Sequence, residues 1–272
     1  MRNNQRRLGA AKKAEAKAPP AGLVYEVPTE FVELPSRGIF YLPDHPLHNS
    51  KTIEVKLMTT KEEDILASTA LIKEGVVIDR LLESIIVGDV DPESLLIGDR
   101  NAIMIAARIS AYGNDYKVKS RCSLCYHTQE HTFDLAKMHY IDSCFDEKKL
   151  KELGITWNSN DQIYEYILPK SKVKIGIQVP TGSDEVLQAE VVEGNIITET
   201  MKRLVCSVDG QFEEELVNNF VENMLAWDSR SLRGIIPNVF PNVELSEKVK
   251  CENCDSVEDR EVPLTAEFFW PR

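Results

Sequence analysis

The chain has 272 residues, 43% apolar and 28% charged, with a formal net charge of −12, the composition of a folded globular protein. No apolar run approaches the roughly 18 residues needed to span a bilayer, and the acidic balance argues against general nucleic-acid binding by the body. Residues 1–20 depart from that balance. Six basic residues (Arg2, Arg6, Arg7, Lys12, Lys13, Lys17) stand against Glu15 alone, a local +5 that leaves −17 on the rest of the chain. With its alanines and Pro19-Pro20, the segment 1–22 reads as a basic disordered tail, either solvating or ordered on an acidic partner. It lacks the apolar centre of a secretory signal, so a cytosolic origin is expected.

Residues 23–59 read as an extended β arm. "VYEVPTEFVELPSRGIFY" is punctuated by Pro28, Pro35 and Gly38, "LPDHPLHNS" is a loop, and "KTIEVKLM" at 51–58 alternates as a strand does. Residues 60–115 read as a helical subdomain. Thr60 and Glu63 fit a capping box opening "TKEEDILASTALIKEG", which closes near Gly75. "VVIDRLLESIIVG" follows, with apolar residues at 77, 78, 81, 82, 85 and 86 on one helical face. In "DPESLLIGDRNAIMIAARISAYG" the helix is expected to break at Gly98, restart on Asp99 and end at Gly113. Ile103, Ile105, Ala106 and Ile109 would face the core, with Asp99, Arg100 and Arg108 as polar fixings.

Residues 116–136, "YKVKSRCSLCYHTQEHTFDLA", place a Cys-x-x-Cys between two alternating stretches, the form of a zinc knuckle. On its own it is half a metal site. The insert at 137–245 carries a β-hairpin at 161–180 turning at Pro169–Ser171, a helical stretch capped by Ser183 or Asp184, and one or two further helices stopped by Pro237. Residues 246–272 then supply the other half: "EKVKCENCDSVEDREVPL" repeats the strand, Cys-x-x-Cys, strand pattern. Cys122, Cys125, Cys251 and Cys254 are therefore expected to hold a structural Zn²⁺ as a closed four-cysteine site, with no open position for catalysis. Paired cysteines in a cytosolic chain favour metal over disulfides. A redox pair is the alternative, although neither motif opens a helix after a strand as that chemistry prefers. His127 and His131 read as polar strand residues, and Cys144 and Cys206 as ordinary buried or half-buried thiols.

The expected fold class is α+β, a helical subdomain and β-hairpins tied together by the zinc-ribbon-like site. No phosphate-binding, dinucleotide-binding or nucleophile-elbow motif is present. "EED" at 62–64 and "EEE" at 213–215 sit at helix starts, where they complement the dipole. The chain reads as a non-enzyme. Candidate partner contacts are Arg37, Phe40 and Tyr41 in "LPSRGIFY", and Phe268, Phe269 and Trp270 at the C-terminus. Each set has a plainer reading, a strand and turn packed on its own core and an aromatic cover for the zinc ribbon, against the sharper one of an interface anchor.

The chain resembles the baseplate hub subunit family of T4-type contractile-tail bacteriophages. The matching stretches are "LPSRGIFY", "LMTTKEEDILAS", "LIKEGVVIDRLLESII", "SLLIGDRNAIMIAARISAYGNDY" running into "CSLC", then "FVENMLAWDSRSLRGIIPNVFPNVELSEKVKCENC" and the terminal "FFWP", over about residues 31–272. The resemblance implies a non-enzymatic structural or assembly subunit of the virion tail, put together in the host cytoplasm. Its partners would be other baseplate hub and tail proteins, with the tail tube or the tape-measure protein as a further candidate. A zinc-ribbon nucleic-acid-binding regulator is the competing function. Lys117, Lys119, Arg121, Lys248 and Lys250 favour it locally, and the acidic body opposes it.

Overall fold

The computed structural model describes residues 26–184, 195–244, 246–262, 264 and 266–269. The basic tail, residues 185–194 of the stretch read as a helix from 183, and Trp270 lie outside them. Strands β1 (Thr29–Glu33) and β2 (Thr52–Lys56) pair antiparallel. Between them "LPSRGIFY" is a folded turn and not an extended strand, because Arg37 and Gly38 both take left-handed backbone angles, φ 52° and 71°. Gly38 is obligatory there: a Cβ would lie 2.4 Å from the Ser50 nitrogen.

Three short helices follow, α1 (Thr60–Ala67), α2 (Thr69–Glu74) and α3 (Val77–Ile85). The capping box sits one residue earlier than the sequence suggested, with Thr59 as N-cap and Glu62 returning to its backbone N–H at 2.8 Å. Glu62 also accepts the Ser84 hydroxyl at 2.6 Å, so this cap fastens α1 to α3. The expected single helix is two, because Ser68 turns extended and its hydroxyl caps α2, which ends on left-handed Gly75. Helix α3 buries Val77, Leu81, Leu82 and Ile85, the face its spacing foretold.

Helix α4 (Ile97–Tyr112) runs straight through Gly98 and does not restart on Asp99. The glycine serves packing: a Cβ there would lie 2.0 Å from the Pro241 carbonyl oxygen, so the distant 241–242 backbone can approach only a bare helix. The next three residues are polar and buried, and each fixes a different segment. Asp99 accepts hydrogen bonds from Ser36 and Tyr41. Arg100 pairs with Asp79 of α3 at 2.5 Å. Asn101 donates to Asn242 at 3.1 Å. Two turns on, buried Arg108 donates to the Phe268 and Gly113 carbonyls at 3.0 and 3.3 Å. Ile103 and Ile105 are buried and Ala106 and Ile109 partly so, as expected.

Two hairpins carry the cysteines: β3 (Asp115–Arg121) with β4 (Thr128–Asp134), and, far downstream, β11 (Ser246–Lys250) with β12 (Val257–Glu261). Between them lie β5 (Tyr140–Ile141), α5 (Glu147–Glu152), β6 (Ile155–Asn158), β7 (Ile163–Ile167), β8 (Lys174–Ile177), α6 (Ile196–Leu204), β9 (Val205–Val208), α7 (Glu214–Glu222), α8 (Ala226–Val239) and β10 (Asn242–Val243). Strands β6-β7-β8-β9 form one antiparallel sheet, and β10 pairs with β5. The β7–β8 hairpin turns where the sequence placed it. Its turn is fastened to α8 by buried Asp228, which accepts the Lys170 and Ser171 N–H groups at 2.7 and 2.9 Å. Pro237 does not stop α8 but sits within its last turn, where Ile235 and Val239 are buried on either side of it. The buried apolar residues from Val32 to Phe269 make one continuous core.

Candidate metal centre

In each cysteine hairpin the strand pairing leads into a tight knuckle of the same shape. Cys122 N–H donates to the His127 carbonyl (2.9 Å) and Tyr126 N–H to the Cys122 carbonyl (3.1 Å); Cys251 N–H donates to Ser256 (2.7 Å) and Asp255 N–H to Cys251 (3.0 Å). The residue four places after the first cysteine is left-handed in both, Tyr126 at φ 59° and Asp255 at φ 58°. These turns aim backbone N–H groups at the sulfurs. The Cys125 N–H, followed by the Ser256 hydroxyl, pulls the Cys122 thiol down to about 6. The Asn253 side chain and the His127 N–H lower Cys125. Cys251 accepts N–H groups from Asn253 and Cys254 that favour its thiolate. Yet it is pushed up to about 11 by burial and by the Cys125 and Cys254 sulfurs beside it.

The four sulfurs of Cys122, Cys125, Cys251 and Cys254 lie within 4.8 Å of one another. The short approaches run between the hairpins, Cys122 to Cys254 at 3.7 Å and Cys125 to Cys251 at 3.6 Å. Tetrahedral Zn–S bonds of about 2.3 Å place sulfurs about 3.8 Å apart, so the donor set fits a zinc ion in spacing and in chemistry. Close thiolates repel one another, and a divalent cation is what lets all four ionise together. Cys144 and Cys206 take no part; burial pushes their thiols up to about 12 and about 11. His127 is exposed, and His131 contacts Glu247 across the hairpins at 3.2 Å.

The hairpins clasp each other through a pseudo-two-fold relation that the cysteine spacing alone did not reveal. Gln129, seven residues after Cys122, donates to the Lys250 carbonyl and accepts the Glu252 N–H, both at 2.9 Å, gripping the backbone on either side of Cys251. Glu258, seven residues after Cys251, accepts the Ser123 N–H at 3.0 Å and the Ser123 hydroxyl at 2.5 Å. A carboxylate has no donor for the remaining contact, so Arg260, paired with Glu258, donates to the Arg121 carbonyl at 2.6 Å. Gln129 on one side and Glu258 with Arg260 on the other thus hold each knuckle against its partner. The signal in the sequence was their shared offset from the cysteines. Gln129→Leu, close in volume and unable to hydrogen-bond, is expected to leave the chain folded while weakening metal retention about 10- to 100-fold in competition with a chelator.

The candidate contact residues lie elsewhere. Phe40 packs edge-on against Trp157 at 5.0 Å and beside Phe145 and Tyr164, inside the core. Tyr41 is buried on Asp99 and accepts the Leu96 N–H at 3.1 Å. Phe268 and Phe269 are fully buried, Phe268 against Tyr116 and under Arg108, so these rings close the core beside α4 and are not offered to a partner. The physical reason is the same in each case: a nearby segment distant in sequence covers the aromatic face. Arg37 is exposed, its guanidinium 4.2 Å over the Phe145 ring.

Among the described residues, no helix is long and apolar enough to cross a membrane. No curated protein and no solved structure matches the chain. Residues 40–270 match the family described as T4 bacteriophage base plate protein, a span that takes in most of the folded chain and both cysteine hairpins, and the chain belongs to that family.

Proposed function

We propose that the chain is a non-enzymatic structural or assembly subunit of the baseplate hub, assembled in the host cytoplasm and stapled by one structural Zn²⁺ on Cys122, Cys125, Cys251 and Cys254. As a base plate protein it is a phage tail component, with other tail proteins as its partners. The observation that carries the zinc reading is the four-sulfur cluster built from two matched knuckles. In a reducing cytoplasm a zinc ion can join distant loops where a disulfide cannot persist. The ion would tie the end of the body to its middle, and the long insert between the hairpins would be held as part of one unit. The remaining domain boundaries read from the sequence are part of this proposal: a basic tail at 1–22, an arm at 23–59, helices at 60–115, knuckles at 116–136 and 246–272, and an insert at 137–245.

One observation favours the nucleic-acid reading: Lys117, Lys119 and Arg121 are exposed along one face of β3. The −12 charge of the chain opposes it. Purification of a tagged chain from infected cells separates the two. One zinc per chain and recovery with central baseplate proteins are the expected results. Recovery on DNA, with affinity falling steeply as salt rises, would replace the hub reading with the regulator.

A further inference from the structure

Helix α8 turns one face to solvent. Trp227 is 67% exposed at its start. Arg230, Gly234 and Pro237 follow at helical spacing on the same side, with Arg233 flanking. The only carboxylate of the helix, Asp228, points inward to the β7–β8 turn. Neither Arg230 nor Arg233 makes an ion pair among the described residues, so a chain of net charge −12 presents here an aromatic ring and two guanidinium groups with no carboxylate of their own.

Gly234 lies exposed in the middle of that face. Glycine is a poor helix former, and inside a helix it persists where another backbone must come close. Helix α4 shows that use within the same molecule, since Gly98 admits the Pro241 carbonyl to where a Cβ would stand. At Gly234 a Cβ would meet nothing within 4 Å, and no described segment of the chain approaches it. The close approach that such a glycine allows is therefore left for another molecule. Pro237, which has no N–H to give to the Arg233 carbonyl, leaves a backbone acceptor on the same side.

We propose that this face of α8 is a docking surface for an acidic helix of another tail protein, packed across Gly234, with its carboxylates on Arg230 and Arg233 and Trp227 as the apolar anchor. Charge selects the occupant. A second copy docking symmetrically through the same face would set arginines against arginines, whereas carboxylates on a partner helix match them. Exposed Trp and Arg are the residue types that dominate interface energies. The proposal rests on the base plate reading for the kind of partner, and on this geometry for the surface.

The test uses the full chain in infected cells with a photo-cross-linking amino acid at position 226, at the edge of the face, and the purified chain for thermal unfolding. The expected result is an adduct with another tail protein, mapping to an acidic helix. Its yield should drop at least about tenfold in Gly234→Leu or Arg230→Glu. Gly234→Ala should unfold at the same or a higher temperature, as removing an exposed helical glycine does. A lower unfolding temperature for Gly234→Ala would mean that the glycine serves the bend at Pro237, and overturns the proposal. So does an adduct that survives Gly234→Leu, no adduct at all, or one with nucleic acid or a second copy. An adduct confined to host proteins likewise overturns the proposal and leaves the family membership untouched.

Discussion

Cys251→Ser is expected to empty the metal centre and open the two cysteine hairpins while the helical core stays folded. Serine keeps the volume, but its neutral hydroxyl is a poor ligand beside three thiolates, and structural zinc binding is worth on the order of 10 kcal/mol in small modules. The dependence is set by how little else holds these hairpins. Each is a two-stranded sheet, marginal alone, and the second buries only Val249 and Cys251 of its strands and knuckle. The chain beyond it is anchored separately, through Phe268 under Arg108. The expected loss is therefore local: no bound zinc, fast amide exchange at 115–134 and 246–261, and retained protection in α3 and α4. The opening free energy of the two hairpins should fall by more than about 3 kcal/mol, with that of α4 unchanged. Full zinc content in the variant would remove the clasp, and equal loss of protection across α4 would show that the ion holds the whole molecule and not its hairpins.

Asp99→Ala is expected to cost about 3–5 kcal/mol, because it strands three buried donors at once. In the folded chain Asp99 takes the Ser36 N–H (2.9 Å), the Ser36 hydroxyl (2.5 Å) and the Tyr41 hydroxyl (2.8 Å), and no water-exposed surface is left to it. Through these bonds α4 holds the "LPSRGIFY" turn in place. Burial pushes the Asp99 carboxyl above the usual carboxylate range, against the pull of Ser36 and Tyr41 toward the charged form. The sign follows. A group whose folded pKa is raised contributes its stability fully below its unfolded pKa, about 3.9, and loses it as pH rises through the folded value. The margin of the wild type over Asp99→Asn should therefore shrink from acid toward neutral pH in denaturant titrations. Asp228 has the opposite sign. The N–H groups of Lys170 and Ser171 outweigh its burial and hold its carboxyl below the usual range, so its contribution is lost as pH falls. A margin at Asp99 that grows with pH would show its carboxylate to be stabilised by the three donors beyond the cost of burying it.

The four-cysteine cluster was legible because its chemistry is local. Two sulfurs separated by two residues, between alternating stretches, define a knuckle wherever the rest of the chain goes, and two such knuckles in one chain point to one cluster. The helix faces of α3 and α4 were legible for a similar reason, since burial of one side leaves a 3.6-residue period in the sequence. Misreadings arose where a local rule met a distant segment. Gly98 followed by Asp99 looks like a break and a cap, but the glycine makes room for Pro241 and the aspartate reaches Ser36 and Tyr41. Pro237 looks like a stop, yet burial of Ile235 and Val239 carries α8 past it.

The sequence by itself thus determined the class of fold, the periodic faces of its helices, the four cysteines that cluster and, through its ordered motifs, the phage base plate family. The tertiary structure alone decided which aromatics are core and which are surface. Phe40, Tyr41, Phe268 and Phe269 went inward and Trp227 outward, although nothing in their neighbours along the chain distinguishes them. It also decided how Gln129 and Glu258 lock the knuckles and why Gly98 must be bare. Ligand type and periodicity are properties of a few adjacent residues, whereas burial and close approach depend on what the rest of the chain brings to the same place.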